Sequence, residues 1–125
     1  MNKKITRELI KKNPNILFVF GDNDARTGFG GMAKEARGES NAIGLRTKKY
    51  PSTEESSYYT DEEFEDNKKK IDEDIELIRK QFVNYICIFI PNGIGLGLAQ
   101  LNIKAPQTYQ YLQGALSKLK EQVEK

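Results

Sequence analysis

Two short glycine-rich segments predict binding of a phosphate-bearing ligand. Residues 28–31 read Gly-Phe-Gly-Gly and residues 93–97 read Gly-Ile-Gly-Leu-Gly. Because glycine lets backbone amides approach an anion closely, such a segment before a helix can cradle a phosphate. The first segment has neither the Gly-Lys-Ser/Thr of a Walker loop nor the spacing of a dinucleotide fingerprint. For either segment alone, a tight turn required by packing is the alternative, whereas the two together favour a diphosphate held from both sides.

Three polar residues, Asp22, Asn23 and Asp24, directly follow an apolar run. Such residues commonly cap a helix or form Asx turns. Beside a phosphate-binding loop, Asp22 could instead accept a hydrogen bond from an adenine amino group or a ribose hydroxyl, and Asn23 could bond a distal ribose. A calcium site is disfavoured because no glutamate follows at the required spacing. We therefore expect no metal and no cofactor.

Lys48 is the candidate nucleophile, since it lies in a basic run after a second apolar stretch. A solvated lysine is the default interpretation, but a partly desolvated lysine near other cations has a lowered pKa and can attack a sugar carbon. The chain contains no histidine, which excludes Ser-His-Asp and Cys-His catalysis and nearly all zinc chemistry. Asp22 and Asp24 are then the nearby candidates for a proton acceptor.

The composition predicts one soluble domain over residues 1–125. Hydrophobic residues make up 38% and charged residues 30%, with a net charge of +2, as in ordinary globular proteins. The longest apolar run, Ile86 to Ile90, is too short to cross a membrane, and no signal peptide precedes Lys3. The single cysteine, Cys87, is expected to be buried and inert in a reducing, cytoplasmic compartment. Basic residues are balanced by acids, so free nucleic acid is not an expected partner.

Strand and helix signals alternate along the chain. The first half predicts a helix capped by Thr6 and ended by Asn13-Pro14, a strand over Ile16 to Phe20, a helix over Met32 to Arg37 and a strand over Ala42 to Leu45. A surface loop over Pro51 to Tyr59 follows. The second half predicts a long helix begun by a capping box of Thr60 and Glu63, a strand over Tyr85 to Ile90, and a last helix from Pro106. This order predicts an α/β three-layer sandwich with a mostly parallel central sheet and helices on both faces. Because ligands of such sheets bind beyond the carboxyl ends of the strands, both glycine segments and Thr47-Lys48 should converge at one edge.

Three segments carry a resemblance to a known family: FVFGDNDARTGFGGMAKEAR, AIGLRTKK and IPNGIGLGLAQLNIKAP. In these segments, and in their order, the chain resembles a macrodomain. It is similar in particular to the small glycohydrolase branch that includes DNA ADP-ribosyl glycohydrolase antitoxins and terminal ADP-ribose glycohydrolases, and to related phage-type proteins. Since the chain is shorter than a full macrodomain, the resemblance implies a reduced macrodomain-like fold.

The resemblance also implies a ligand, ADP-ribose or a related nucleotide, and it suggests ADP-ribosylated DNA or protein as a source. It implies that residues 28–32 and 93–98 wrap the diphosphate and distal ribose, and that Lys48 attacks the anomeric carbon. The expected catalytic residues are Lys48 and Asp22. The expected ligand-binding residues are Gly21, Asp22, Asn23, Gly28, Phe29, Gly30, Gly31, Met32, Thr47, Asn92, Gly93, Ile94, Gly95, Leu96, Gly97 and Leu98.

One departure from the family bears on catalysis. Some members end the second glycine loop with an aspartate that resolves the covalent intermediate, and Ala99 stands at that position here. Its absence favours an alternative, a binding module without chemistry such as a phage-type sponge for an ADP-ribose-derived signal. A protein-interaction domain whose glycines are only structural is the remaining alternative.

Overall fold

Helices and strands alternate along the described part of the chain, residues 5–123, in a computed structural model. The helices are α1 (Arg7–Lys12), α2 (Ala33–Ala36), α3 (Phe64–Phe82), α4 (Leu101–Lys104) and α5 (Pro106–Val123), and the strands are β1 (Ile16–Asn23), β2 (Ala42–Lys48) and β3 (Cys87–Phe89). Short 3-10 helices cover Glu55–Ser57, Asp61–Glu63 and Gly97–Ala99. The predicted α/β class is thereby confirmed.

The three strands form one parallel sheet in the order β2-β1-β3. β1 is the central strand, with Phe18 opposite Ala42 on β2 and Ile16 opposite Cys87 on β3. Parallel strands require crossover connections; α2 lies between the neighbours β1 and β2 in the chain, and α3 lies between β2 and β3 at the two edges of the sheet. The carboxyl ends of β1 and β2 therefore lie side by side.

Alternate residues of β1 belong to two different hydrophobic clusters. Leu17 and Val19 pack in a cluster with residues of β2, α3 and α5, whose fully buried members include Leu45, Ile71, Ile78, Leu112 and Leu119. Phe18 and Phe20 pack in a second cluster, with Ile5, Ile10, Ala33 and Ala36. Because successive side chains of a strand point to opposite faces, both faces of β1 are covered. This burial fixes the strand whose far end carries Asp22 and Asn23.

Local capping signals mark the helix starts as predicted. The Thr6 hydroxyl accepts a hydrogen bond from the Leu9 amide at 3.0 Å at the start of α1. Thr60 and Glu63 form the predicted capping box, which here opens a 3-10 turn that continues directly into α3. Both devices satisfy backbone donors that a helix end would otherwise leave unpaired.

β1 and β2 run further than their apolar stretches predicted. Pairing continues past the last apolar residue, with Asp22 opposite Arg46 and Asn23 opposite Lys48 after an irregularity in the register. Asp22, Asn23 and Lys48 therefore lie on the ends of strands, whereas Asp24 follows β1 in a turn.

Two sequence predictions are wrong in the region of Cys87. The strand predicted over Tyr85 to Ile90 is only three residues long, and Cys87 is exposed instead of buried. β3 lies at an edge of the sheet, where it pairs with β1 alone, and the neighbouring Ile86 is 78% exposed. An apolar run indicates a strand but does not indicate how many neighbours that strand has.

The predicted surface loop over Pro51 to Tyr59 is also wrong at its end. Ser57, Tyr58 and Tyr59 are buried, and Tyr58 forms an isolated antiparallel bridge with Lys48. The segment therefore folds back over the end of β2. Separately, none of the helices within residues 5–123 is long and apolar enough to cross a membrane.

Candidate functional site

A cavity of about 530 Å³ lies at the carboxyl ends of β1 and β2. Its lining comes from both strand ends, both glycine segments and the loop after β2: Gly21, Asp22, Asn23, Thr27, Gly28, Gly30, Gly31, Met32, Ala33, Arg37, Thr47, Lys48, Pro51, Gly93, Gly95, Leu96, Gly97, Leu98 and Ala99. A wider groove of about 920 Å³ runs along α3 and contains neither glycine segment. No group of three metal-ligating side chains occurs among the described residues.

The two glycine segments approach each other across this cavity. A Cβ atom added to Gly30 would lie 3.1 Å from Cδ1 of Leu98, and one added to Gly93 would lie 3.7 Å from Cε of Met32. Each segment thus packs against the side chain that directly follows the other segment, and the predicted convergence at one sheet edge is observed.

The backbone of these segments requires glycine at several positions. Gly28, Gly31, Gly95 and Gly97 have φ angles of +90°, +57°, +91° and +63°, a region that other residues rarely adopt. The carbonyls of Gly30 and Gly31 accept hydrogen bonds from the first amides of the α2 turn. Their own amides donate none of the hydrogen bonds found between described residues, so they are available to an anion.

Asn23 lines the cavity and has a buried acceptor without a donor. The residue is 6% exposed, and its Nδ2 donates to the carbonyl of Thr27 at 2.8 Å. Its Oδ1 is buried and has no hydrogen-bond donor among the described residues. Since an unpaired buried acceptor is costly, a hydroxyl or amide of a ligand would stabilise this position.

Asp22 has a full set of donors within the chain. Its Oδ1 accepts from the Asn23 amide at 2.8 Å and from Nη2 of Arg37, and its Oδ2 accepts from Nη1 of Arg26 at 3.2 Å and Nη1 of Arg37 at 3.3 Å. The carboxylate also packs against Gly44, where a Cβ atom would lie only 2.3 Å from Oδ2. This arrangement favours a supporting role for Asp22 over the predicted role of proton acceptor.

Arg37 is the principal site residue that sequence reasoning missed. Besides binding Asp22, its Nε donates to the Gly28 carbonyl at 2.7 Å and its Nη2 donates to the Thr27 carbonyl at 3.0 Å. One guanidinium therefore ties the first glycine segment to the end of β1. Thr27, Ala33, Pro51 and Ala99 also line the cavity without having been predicted as binding residues.

Lys48 lies at the cavity with its ammonium largely withdrawn from solvent. The residue is 9% exposed, its Nζ donates to the Ser52 carbonyl at 2.7 Å, and the Tyr58 ring centre is 4.5 Å from Nζ. Burial lowers the pKa of this amine. Its neighbour Lys49 instead pairs with Glu63 at 2.6 Å. Lys48 therefore differs from the solvated lysine that is the default for a basic run.

The remaining predicted residues take different positions. Phe29 is 64% exposed, and Ile94 is fully buried in the core, so neither lines the cavity. Asn92 is exposed outside the lining. Thr47 lines it, but its hydroxyl donates to the Asp22 carbonyl at 3.3 Å. Asp24 lies outside the lining, where it binds Tyr59 and Lys70.

Comparison with known proteins gives one match. A model of a family of unknown function, DUF7831, matches residues 1–115. The chain has no match among curated proteins and none among solved structures. The matched residues include every residue that lines the cavity, but the match brings no activity with it.

Proposed function

The chain belongs to the DUF7831 family, a family of unknown function, and we propose that it binds ADP-ribose or a related phosphate-bearing nucleotide in the cavity at the ends of β1 and β2. One observation carries the proposal: both glycine segments line a single cavity of about 530 Å³. That volume is within the usual range for small-molecule sites, which runs from about 300 to 1,000 Å³.

The polar groups around the cavity match the parts of such a ligand. The amides of the glycine segments suit phosphate oxygens, as does the Lys48 ammonium. The unpaired Oδ1 of Asn23 suits a ribose hydroxyl. The charged lining side chains are Asp22, Arg37 and Lys48, so cations outnumber anions there, which favours an anionic ligand.

The proposal includes a reduced macrodomain-like fold and three sources of the ligand. The two clusters on alternate residues of β1 support a reduced macrodomain-like, three-layer arrangement. A free ADP-ribose-derived signal, ADP-ribosylated DNA and ADP-ribosylated protein each present the same ribose and diphosphate. The chain would bind each of them as a cytoplasmic binding module.

Titration with ADP-ribose tests this function. Ligand at a hundred times its Kd is expected to add about 2.7 kcal/mol to the free energy of unfolding, measurable as a rise in Tm. Gly30→Val should abolish the rise, because its side chain would meet Leu98 within the cavity mouth. Gly114→Ala, on α5 with open space around it, is the matched control and should bind normally. An unchanged Tm in the wild-type protein would favour the protein-interaction alternative.

Glycoside hydrolysis through Lys48 is a second candidate function, favoured by the burial that lowers the pKa of this amine. Neutral Nζ would form a bond to the anomeric carbon of the distal ribose, while the bond from that carbon to its substituent breaks and the electron pair departs with the substituent. Water would then hydrolyse the sugar–lysine bond. Asp22 already has its donors and Ala99 has no carboxylate, so binding is the primary proposal.

A further inference from the structure

We infer that this site recognises the ribose and the diphosphate of its ligand and makes no hydrogen bond that distinguishes one base from another. Its ligands are then nucleoside diphosphate riboses with any base. The inference rests on the proposed function, because it concerns the ligand of the same cavity. It follows from which polar groups of the lining are already used and which are not.

Asp22 supplies the only carboxylate among the residues that line the cavity. A carboxylate is the group that would read an adenine amino group, since it can only accept hydrogen bonds. Both oxygens of Asp22 already accept two hydrogen bonds each, from the Asn23 amide and from two guanidinium groups. The side chain is 2% exposed, so a base amino group would have to displace one of these donors.

Neither guanidinium is free to leave. Arg26 is also held by the Gly44 carbonyl and by Asp74, each at 2.8 Å. Arg37 is also held by the carbonyls of Thr27 and Gly28. Displacing either one would leave the buried Asp22 carboxylate short of a donor, which is costly. Asp22 therefore acts on the loop and strand around it, and the ligand meets other groups.

The polar groups that remain suit hydroxyls and phosphates. Asn23 offers only Oδ1, because its Nδ2 is bonded to Thr27, and Lys48 offers an ammonium. Reading a base edge requires a donor and an acceptor at fixed separation, as a free amide side chain would provide. The other side chains of the lining are largely apolar, including Met32, Leu96 and Leu98, and such surfaces contact a flat ring without distinguishing its edge. The glycine carbonyls of both segments already accept hydrogen bonds within the chain, so these glycines offer backbone donors without a paired acceptor.

Calorimetric titration of the full chain with three ligands tests the inference. IDP-ribose and GDP-ribose carry a carbonyl oxygen where ADP-ribose carries an amino group. We expect the three dissociation constants to agree within about tenfold, whereas a site that hydrogen-bonds the amino group discriminates by orders of magnitude. Adenosine, which lacks the diphosphate, should not compete with ADP-ribose.

The outcomes separate this inference from the function on which it rests. If ADP-ribose binds more than about tenfold tighter than IDP-ribose, a difference of about 1.4 kcal/mol, the base is read and the inference is wrong while the proposed function stands. Competition by adenosine but not by inosine, which carries the same ribose, leads to the same conclusion. If none of the three nucleotides binds, the proposed function is itself wrong and the inference falls with it.

Discussion

Lys48 and Lys49 are neighbours with opposite surroundings. Lys48 is buried beside the Tyr58 ring with its amine at the cavity, whereas Lys49 forms an ion pair with Glu63 and is absent from the lining. Because the two lysines are adjacent in the chain and only Lys48 lines the cavity, they provide a matched pair of substitutions for testing chemistry at the site.

If the chain hydrolyses ADP-ribosyl bonds, Lys48→Ala is expected to abolish release of ADP-ribose from an ADP-ribosylated substrate and to change ADP-ribose affinity by less than about tenfold, since the glycine amides remain. Lys49→Ala should turn over normally. Any turnover should rise with pH as Lys48 loses its proton, with a midpoint below the ordinary lysine value of 10.5, because burial lowers its pKa. Normal product release by Lys48→Ala, measured by chromatography, would show that Lys48 is not the nucleophile.

Arg37→Lys is expected to weaken ADP-ribose binding by about tenfold or more, because an ammonium cannot span Asp22 and the carbonyls of Thr27 and Gly28 as the guanidinium does. In the ligand-free protein, hydrogen exchange of the Arg26, Ala33 and Lys34 amides should accelerate, because these amides bond the carbonyls of Asn23, Gly30 and Gly31 around the clamped segment. Arg79→Lys is the control, since Arg79 bonds Glu76 and Gln122 away from the cavity. Unchanged exchange in Arg37→Lys would rule out this clamping role.

At the scale of elements, local signals were predictable and distant pairings were not. The caps at Thr6 and Thr60 act within one helical turn, so they are visible in a few residues of sequence. The extension of β1 to Asn23 depends on Lys48 opposite it on another strand. Likewise, the exposure of Cys87 depends on the edge position of β3.

The same distinction applies to the site. The glycine segments were recognisable because each is contiguous, and strand order brings them together. The contacts that support them join residues far apart: Arg37 lies 15 residues from Asp22, and Arg26 lies 48 residues from Asp74. Any arginine in the sequence is a candidate for such a pair, so no local pattern identifies which one lies beside Asp22.

Gly114→Ala is expected to raise the free energy of unfolding by about 0.5–1 kcal/mol, because Gly114 lies within α5 with open space around it and glycine weakens a helix interior. Gly44→Ala should act in the opposite direction, since its Cβ would overlap the Asp22 carboxylate. Urea denaturation measures both. A destabilised Gly114→Ala protein would contradict the packing described for α5.

At the scale of the whole molecule, two acidic residues connect distant parts of the chain. Glu39, after α2, pairs with Arg7 of α1, and Glu63 pairs with Lys49 at the end of β2. The hydrogen bond from Arg7 lowers the pKa of Glu39, and the hydrogen bond from Lys49 lowers the pKa of Glu63, both from an ordinary value of 4.5. Protonation of either carboxylate therefore loosens a contact between elements.

These shifts predict the direction of acid destabilisation. Below pH 4.5 the unfolded chain binds more protons at Glu39 and Glu63 than the folded chain does, so the free energy of unfolding falls as the pH falls through the lowered folded values. The double substitution Glu39→Gln and Glu63→Gln should flatten this dependence. Urea denaturation between pH 3 and about pH 6 measures it, and an equal slope in the two proteins would refute the assignment.

The central position of β1 predicts an order in which its two faces become covered during translation. Phe18 and Phe20 find their partners in α1 and α2, which are translated close to β1. Leu17 and Val19 must wait for Ile71, Leu112 and other residues of α3 and α5. A nascent chain that has reached β2 thus exposes one apolar face of β1 and has only part of the residues that line the cavity. Translation pauses before α5 would prolong that stage, when chaperones and proteases compete for the polypeptide.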